Sequence, residues 1–171
     1  MKKLFLPLCV LLLNGCISQS QSFTDLSNKV SSCQLKNGIR KNGADRFNEV
    51  RLKLSSLNNL HFFDSATPIH LLETYDLESG TIYGFIWSKK DRLSYKYYQD
   101  KFSFNEDLRF SEHMIKLVET WDINAIKKEE ELNAHSLPNS FIYATTVTKG
   151  NNKNVNVECI MFKEFFKLGR D

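Results

Sequence analysis

Residues 69–98, IHLLETYDLESGTIYGFIWSKKDRLSYKYY, decide the fold of this 171-residue chain. Within them, three runs rich in β-branched and aromatic residues are separated by short polar linkers: Ile69 to Tyr75, Thr81 to Trp87 and Arg92 to Tyr98. Short linkers favour antiparallel neighbours, because a parallel crossover needs a dozen or more residues. The stretch therefore predicts a three-stranded antiparallel meander.

The middle run is apolar on both faces. Its three aromatic side chains point to one side of a strand and its two isoleucines to the other. This pattern is typical of a central strand covered on both sides, and also of a strand whose aromatic face is exposed for binding. The second alternative gives a candidate binding surface of five aromatic residues: Tyr83, Phe85, Trp87, Tyr95 and Tyr97.

Two segments precede the meander. Apolar residues from Phe23 to Cys33 recur at intervals of three and four, which predicts a helix that ends at Asn37-Gly38. The second segment, 47–57, is ambiguous. Its alternation of apolar and polar residues favours a strand at 48–54, although a helical face through Phe47, Val50, Leu54 and Leu57 also fits.

After the meander, the spacing of Ser103 and Glu106 predicts a helix start, and Asp122 is expected to cap a second helix. A terminal hairpin is predicted from residues 141–148 and 154–162, which flank a Gly/Asn loop. Grouped strands and grouped helices together indicate an α+β fold. We expect an antiparallel sheet of about five to six strands with helices packed on one face.

The amino terminus has the pattern of a secretory signal peptide. Met1-Lys2-Lys3 is followed by ten mostly apolar residues at 4–13. Ten residues rise about 15 Å as a helix, which is too short to cross a bilayer core of about 30 Å. A basic start followed by a short apolar run is typical of an export signal.

The apolar run ends in LNGC at 13–16. This sequence resembles the lipobox of bacterial lipoprotein precursors, and Leu13, Gly15 and Cys16 match the positions of that motif. The resemblance implies cleavage before Cys16 and attachment of lipid to it. Because Ile17 rather than Asp follows the cysteine, the resemblance also implies an outer-membrane location facing the periplasm.

This interpretation divides the chain into a signal peptide at 1–15, a lipidated cysteine with a polar tether at 16–22, and one α+β domain at 23–171. Cleavage would remove Lys2 and Lys3, so the formal charge would fall from +3 to +1. A nearly neutral domain gives no support for nucleic-acid binding. Its length is typical of a single domain with its own core.

Two of the four cysteines remain in the domain, Cys33 and Cys159. The bacterial envelope is oxidising, so we expect a disulfide between them. The alternative is a pair of buried free thiols, because Cys33 lies on the apolar side of the first predicted helix and Cys159 lies in an apolar predicted strand.

No sequence pattern indicates catalysis. The four histidines form no His-Glu-x-x-His or His-x-His pair, and there is no Gly-x-Ser-x-Gly elbow or glycine-rich phosphate loop. We therefore expect no metal and no cofactor. A dispersed site at Glu112, His113 and Asp122 is the best enzyme candidate.

The expected function is that of a membrane-anchored envelope lipoprotein with a non-enzymatic binding or envelope-maintenance role. Its partners would be the lipid bilayer, through acylated Cys16, and a protein or glycan of the envelope. The basic and aromatic stretch 88–101 is the pattern expected of an ordinary strand with one tyrosine face. As a functional alternative, Tyr and Lys side chains on an exposed strand could bind either partner. Two alternatives stay open: an inhibitor or immunity protein against an envelope-acting enzyme, and a hydrolase of cell-wall or lipid material.

Overall fold

A computed structural model describes residues 23–57, 67–104, 110–132, 140–150 and 154–164. These residues form four helices and one six-stranded antiparallel sheet, which confirms the predicted α+β class. The helices are α1 at 23–36, α2 at Lys41–Leu57, α3 at Glu112–Thr120 and α4 at Ile123–Leu132. The strands are β1 at Ile69–Tyr75, β2 at Ile82–Trp87, β3 at Arg92–Tyr98, β4 at Lys101–Phe104, β5 at Ser140–Lys149 and β6 at Val155–Glu164.

The strand order in the sheet is β4-β3-β2-β1-β5-β6, and every neighbouring pair is antiparallel. The predicted meander and the predicted terminal hairpin are both confirmed. Strand β1 joins these two units, since Leu72 pairs with Phe85 on one side and with Ala144 on the other. Short turns join the strands of the meander, whereas β4 is joined to β5 by a long connection that contains α3 and α4.

The sheet carries helices on both faces, which differs from the expected single helical layer. One core joins α1 and α2 to the face that includes Ile82 and Ile86. A second core joins α3 and α4 to the opposite face, where Ile115 and Val118 pack with Phe85. The physical reason is the doubly apolar β2, because each of its faces needs a cover. The alternative of a central strand covered on both sides is therefore confirmed.

The predicted strand at 48–54 is wrong, because these residues belong to α2. Ala44, Phe47, Val50 and Leu54 are at most 1% exposed and follow a helical spacing, whereas Leu52 is only half-buried. The alternation of apolar and polar residues was a coincidence within a helical pattern.

The predicted helix start near Ser103 is also wrong. Ser103 lies in β4, paired with Lys96 of β3. Helix α3 begins later, where the Ser111 hydroxyl accepts a hydrogen bond from the Met114 N–H at 3.2 Å. A serine that is paired within a β-sheet cannot act as the N-cap of a helix, whatever its spacing from a following glutamate.

Two other predicted helix boundaries are confirmed. The Asp122 carboxylate accepts a hydrogen bond from the Ala125 N–H at 2.9 Å and so caps α4. Helix α1 ends before Asn37-Gly38, where Gly38 has a φ of +99° that favours glycine.

The structure bears out the expected cysteine pair. The sulfur atoms of Cys33 on α1 and Cys159 on β6 lie 2.00 Å apart, at disulfide distance, and join positions 126 residues apart in the chain. The bond fastens the first helix to the last strand.

The proposed signal peptide, Cys16 and the tether to residue 22 lie outside the described residues. Across the described ranges, no helix combines the length and the apolar character needed to cross a membrane.

Candidate functional site

The five aromatic residues proposed as a binding surface lie on opposite faces of the sheet. Tyr83, Phe85 and Trp87 pack in the core beneath α3, whereas Tyr95 and Tyr97 pack in the core beneath α2. All except the half-buried Tyr83 are at most 3% exposed. Four of the five therefore stabilise the two cores and cannot form one exposed surface.

The residues of the enzyme hypothesis do not converge. Glu112 and His113 lie in the first turn of α3, and Asp122 follows its last turn. Ten residues along a helix correspond to about 15 Å, so these side chains stand at opposite ends of α3.

A different histidine lies beside a carboxylate. His70 Nδ1 is 3.1 Å from Thr146 Oγ1, and the His70 ring lies 5.3 Å from the ring of Trp87. Burial lowers the pKa of His70, and the Glu119 carboxylate opposes this effect. Glu119, however, accepts a hydrogen bond from Trp87 Nε1 at 3.0 Å. Glu119 is thus hydrogen-bonded to the Trp87 indole. In a catalytic Ser/Thr–His–acid triad, the acid is instead hydrogen-bonded to the imidazole of the histidine.

A buried ion pair lies on the other side of the sheet. Arg51 of α2 donates to Glu73 of β1 at 2.6 Å, and the two side chains are 3% and 0% exposed. Gln34 Nε2 donates to the same carboxylate at 2.8 Å, and Arg51 also donates to two serine hydroxyls of α1. These contacts satisfy both charges and fix α1 and α2 on the sheet.

Tyr95 completes this buried cluster. Its hydroxyl donates to Glu73 Oε1 at 3.3 Å, and burial together with the nearby carboxylate raises the pKa of Tyr95 well above 10.0. The ring crosses β2 at Gly84, where a Cβ atom would lie 2.1 Å from Tyr95 Cζ. Glycine is therefore required there by the close approach of the ring.

The exposed surface of α2 is a network of paired charges. Lys53 Nζ lies 2.9 Å from Glu49 and 3.1 Å from Asp100, and it donates to Tyr97 Oη at 2.7 Å. Tyr97 Oη donates to Asp100 at 2.6 Å. These contacts raise the pKa of Lys53, mainly through Tyr97, and lower the pKa of Asp100. The cation on this side is therefore neutralised by neighbouring carboxylates.

The opposite side of β3 and β4 has a different character. Strand alternation turns three cations, two serines and one tyrosine to this side. We call this surface the basic sheet face, and its residues are Arg92, Ser94, Lys96, Tyr98, Lys101 and Ser103. Its face assignment follows from the register, because Arg92 pairs with Trp87 and Lys96 pairs with Tyr83, both on the α3 side.

The side chains of the basic sheet face reach solvent. Tyr98 is 41% exposed, Arg92 and Lys101 are exposed, and Lys96 is half-buried. Tyr98 pairs directly with Lys101 across the two strands. Among the residues that the structure describes, no carboxylate forms a salt bridge with Arg92, Lys96 or Lys101. The face therefore combines an exposed aromatic ring with three cations that have no salt-bridge partner among those described residues.

Five of these six residues, all except Ser103, lie in the basic and aromatic stretch 88–101, but within that stretch the predicted binding residues were Tyr95 and Tyr97. The sequence of β3 does indicate two faces, because Leu93, Tyr95 and Tyr97 point to one side of the strand and the more polar residues between them point to the other. The prediction placed Tyr95 and Tyr97 on a binding surface, whereas both side chains are buried beneath α2.

Comparisons of this chain with models of protein families, with curated proteins and with solved structures found no match. Within the described part of the chain, no three His, Cys, Asp or Glu side chains group in a way that could hold a metal ion. The basic sheet face is the candidate site on structural grounds.

Proposed function

We propose that this protein is a lipid-anchored component of the bacterial envelope with a non-enzymatic binding role, and that it binds its partner through the basic sheet face. The supporting observation is the contrast between two surfaces. Cations on α2 are paired with carboxylates, whereas Arg92, Lys96 and Lys101 form no salt bridge with any carboxylate in the described ranges of the chain. Uncompensated charge of one sign on a surface favours association with a partner of the opposite sign.

The anchor rests on the resemblance of residues 13–16 to the lipobox. A tether at 16–22 would reach about 23 Å when fully extended, so the domain would stay close to the membrane. The Cys33–Cys159 pair fits an oxidising compartment, as the periplasm is. An outer-membrane location facing the periplasm is part of the proposal.

Metabolic labelling with a radioactive or clickable fatty acid tests the anchor. The full chain should incorporate the label and sediment with outer-membrane fragments, whereas Cys16→Ala should incorporate none and leave the membrane fraction. Cys16→Ala that is still labelled, or a wild-type chain that is never labelled, would overturn the anchor.

A second function, inhibition of or immunity to an envelope-acting enzyme, is favoured by the β1–β2 turn. Leu77 is 81% exposed at its tip. The Asp76 carboxylate accepts hydrogen bonds from the N–H groups of Glu78 at 3.0 Å and Ser79 at 3.2 Å. A turn held in this way presents an apolar side chain at a low entropic cost of binding.

Competition between strains tests this second function. A deletion strain should lose survival against competitors that release envelope-acting enzymes, and the wild-type gene should restore survival while Leu77→Asp should not. Survival of the deletion strain equal to that of its parent would contradict it.

A further inference from the structure

We propose that the basic sheet face binds a carboxylate-bearing glycan, with the peptidoglycan of the periplasm as its ligand. This inference rests on the proposed function and adds the chemical class of the partner. It is carried by three properties of the face: its charge, its mixture of side chains and its extent.

The stretch of chain that contains β3 and β4 is rich in positive charge. Residues 88–104 contain five basic and two acidic side chains, although the whole chain has a formal charge of only +3. Of the two acids, Asp100 is held by Lys53 and Tyr97 on the α2 side of the sheet. The other, Asp91, lies in the β2–β3 turn, where its carbonyl accepts the Ser88 N–H. Neither acid forms a salt bridge with Arg92, Lys96 or Lys101 in the structure.

One acidic residue of α3 has its own hydrogen-bond partner within the fold. Glu119 of α3 accepts a hydrogen bond from Trp87 Nε1, and Trp87 is the register partner of Arg92. The carboxylate therefore stabilises the core beneath α3. No carboxylate of the described residues forms a salt bridge with Lys96 or Lys101, so an incoming carboxylate would find both ammonium groups available to it within this part of the structure.

The side chains between the cations suit sugars. Tyr98 offers an exposed ring, and a sugar can stack its C–H groups on such a face while its hydroxyl groups bond elsewhere. Ser94 and Ser103 stand beside the cations and offer hydroxyl groups as donors and acceptors. This combination fits a polyhydroxylated ligand that also carries negative charge.

The composition and the extent of the face favour a glycan over a lipid bilayer or a protein partner. The face lacks an aliphatic side chain that could enter a bilayer, and protein interfaces normally have few charged residues at their centre. Residues 92 and 96 are about 13 Å apart along an extended strand, and adjacent strands lie about 4.8 Å apart. A surface of this extent matches a short oligosaccharide segment.

Co-sedimentation with purified, insoluble peptidoglycan sacculi tests the inference. The probe protein is the mature lipidated chain in detergent micelles. It should sediment with native sacculi, and sacculi whose carboxyl groups have been amidated should lose this binding. Raising the salt concentration should weaken binding, since the contacts are exposed charges.

Charge reversal locates the site. Lys96→Glu combined with Lys101→Glu should raise the dissociation constant for sacculi about tenfold or more, which corresponds to about 1.4 kcal/mol. The matched control, Lys29→Glu with Lys36→Glu, makes the same charge change at exposed positions of α1 and should bind within about twofold of the wild type. Tyr98→Ala should weaken binding and Tyr98→Phe should restore it, because stacking needs only the ring.

Each other outcome overturns the glycan inference. Equal losses in the two charge-reversed variants would mean unspecific attraction to charge. Binding to vesicles of phosphatidylethanolamine and phosphatidylglycerol, but not to sacculi, would assign the face to a lipid surface. No binding to sacculi by a protein that is still labelled at Cys16 would overturn the ligand and leave the anchor standing, so the two proposals fail separately.

Discussion

At the scale of single residues, the most consequential contact is an ion pair buried in the core. Arg51 and Glu73 are both buried and lie 2.6 Å apart, with Gln34 and Tyr95 completing the hydrogen bonds of the carboxylate. A buried pair of this kind costs a large desolvation penalty, so the loss of one partner is far more harmful than the loss of both.

Glu73→Ala is expected to lower the free energy of unfolding by about 3–5 kcal/mol, because it leaves the Arg51 guanidinium buried without its counterion. Urea unfolding followed by circular dichroism measures this change. Arg51→Met combined with Glu73→Leu should recover much of the loss, since both charges are then gone.

The matched control is Glu49→Ala on the exposed side of α2, where Glu49 pairs with Arg46 and Lys53. This change should cost no more than about 1 kcal/mol, as solvent screens exposed pairs. Equal effects at positions 49 and 73, or a double variant no more stable than Glu73→Ala, would contradict the importance of the buried pair.

His70 gives the residue-scale prediction for pH. Burial lowers its pKa below the ordinary 6.5, so the unfolded chain binds the proton more tightly than the folded one. The contribution of His70 is therefore fully present above about pH 6.5 and is lost as the pH falls towards the folded pKa.

The free energy of unfolding, measured from about pH 8 to about pH 5, should thus fall less steeply for His70→Gln than for the wild type. Glu119→Gln should make the fall steeper, because the Glu119 carboxylate raises the pKa of His70. Parallel pH profiles for all three proteins would contradict this role of His70.

At the scale of secondary-structure elements, the meander and the terminal hairpin were predictable because short turns and strand alternation act locally. Helix α2 was not, because Val50, Leu52 and Leu54 alternate with polar residues inside a helical pattern, and packing on the sheet selects the helix. Strand β4 has four residues, too few for a periodicity.

The candidate site was predictable only in part. Alternation in β3 separates Tyr95 and Tyr97 from Lys96 and Tyr98, but a sequence does not state which side a helix will cover. The position of α2 on the sheet decides that, and it depends on distant contacts such as the one between Phe47 and Tyr143 at 5.5 Å.

The packing of β2 against β3 gives a prediction at this scale. Gly84→Ala should lower the free energy of unfolding by about 1–3 kcal/mol, because its Cβ would collide with the Tyr95 ring. Thermal or urea unfolding measures the loss. In a Tyr95→Leu background the same change should cost less, and additive costs would contradict the collision.

At the scale of the whole molecule, one covalent link closes the fold between α1 and β6. Replacing Cys33 and Cys159 together by Ser should lower the free energy of unfolding by up to about 4–5 kcal/mol, following the loop-entropy argument for a long loop. Urea unfolding with and without reductant measures this.

The reductant should shift the midpoint of the wild type and leave that of the double serine variant unchanged. A mass measurement under non-reducing conditions should find the two thiols of the mature domain oxidised. Two free thiols, or a wild-type midpoint that reductant does not change, would contradict the role of the link.

The long separation of these two cysteines also has a consequence for biosynthesis. Cys33 leaves the ribosome 126 residues before Cys159. At no more than about 20 residues per second, its thiol waits about 6 s or longer before its partner has been made. Helix α1 therefore cannot be locked in place before Cys159 of β6 has been synthesised.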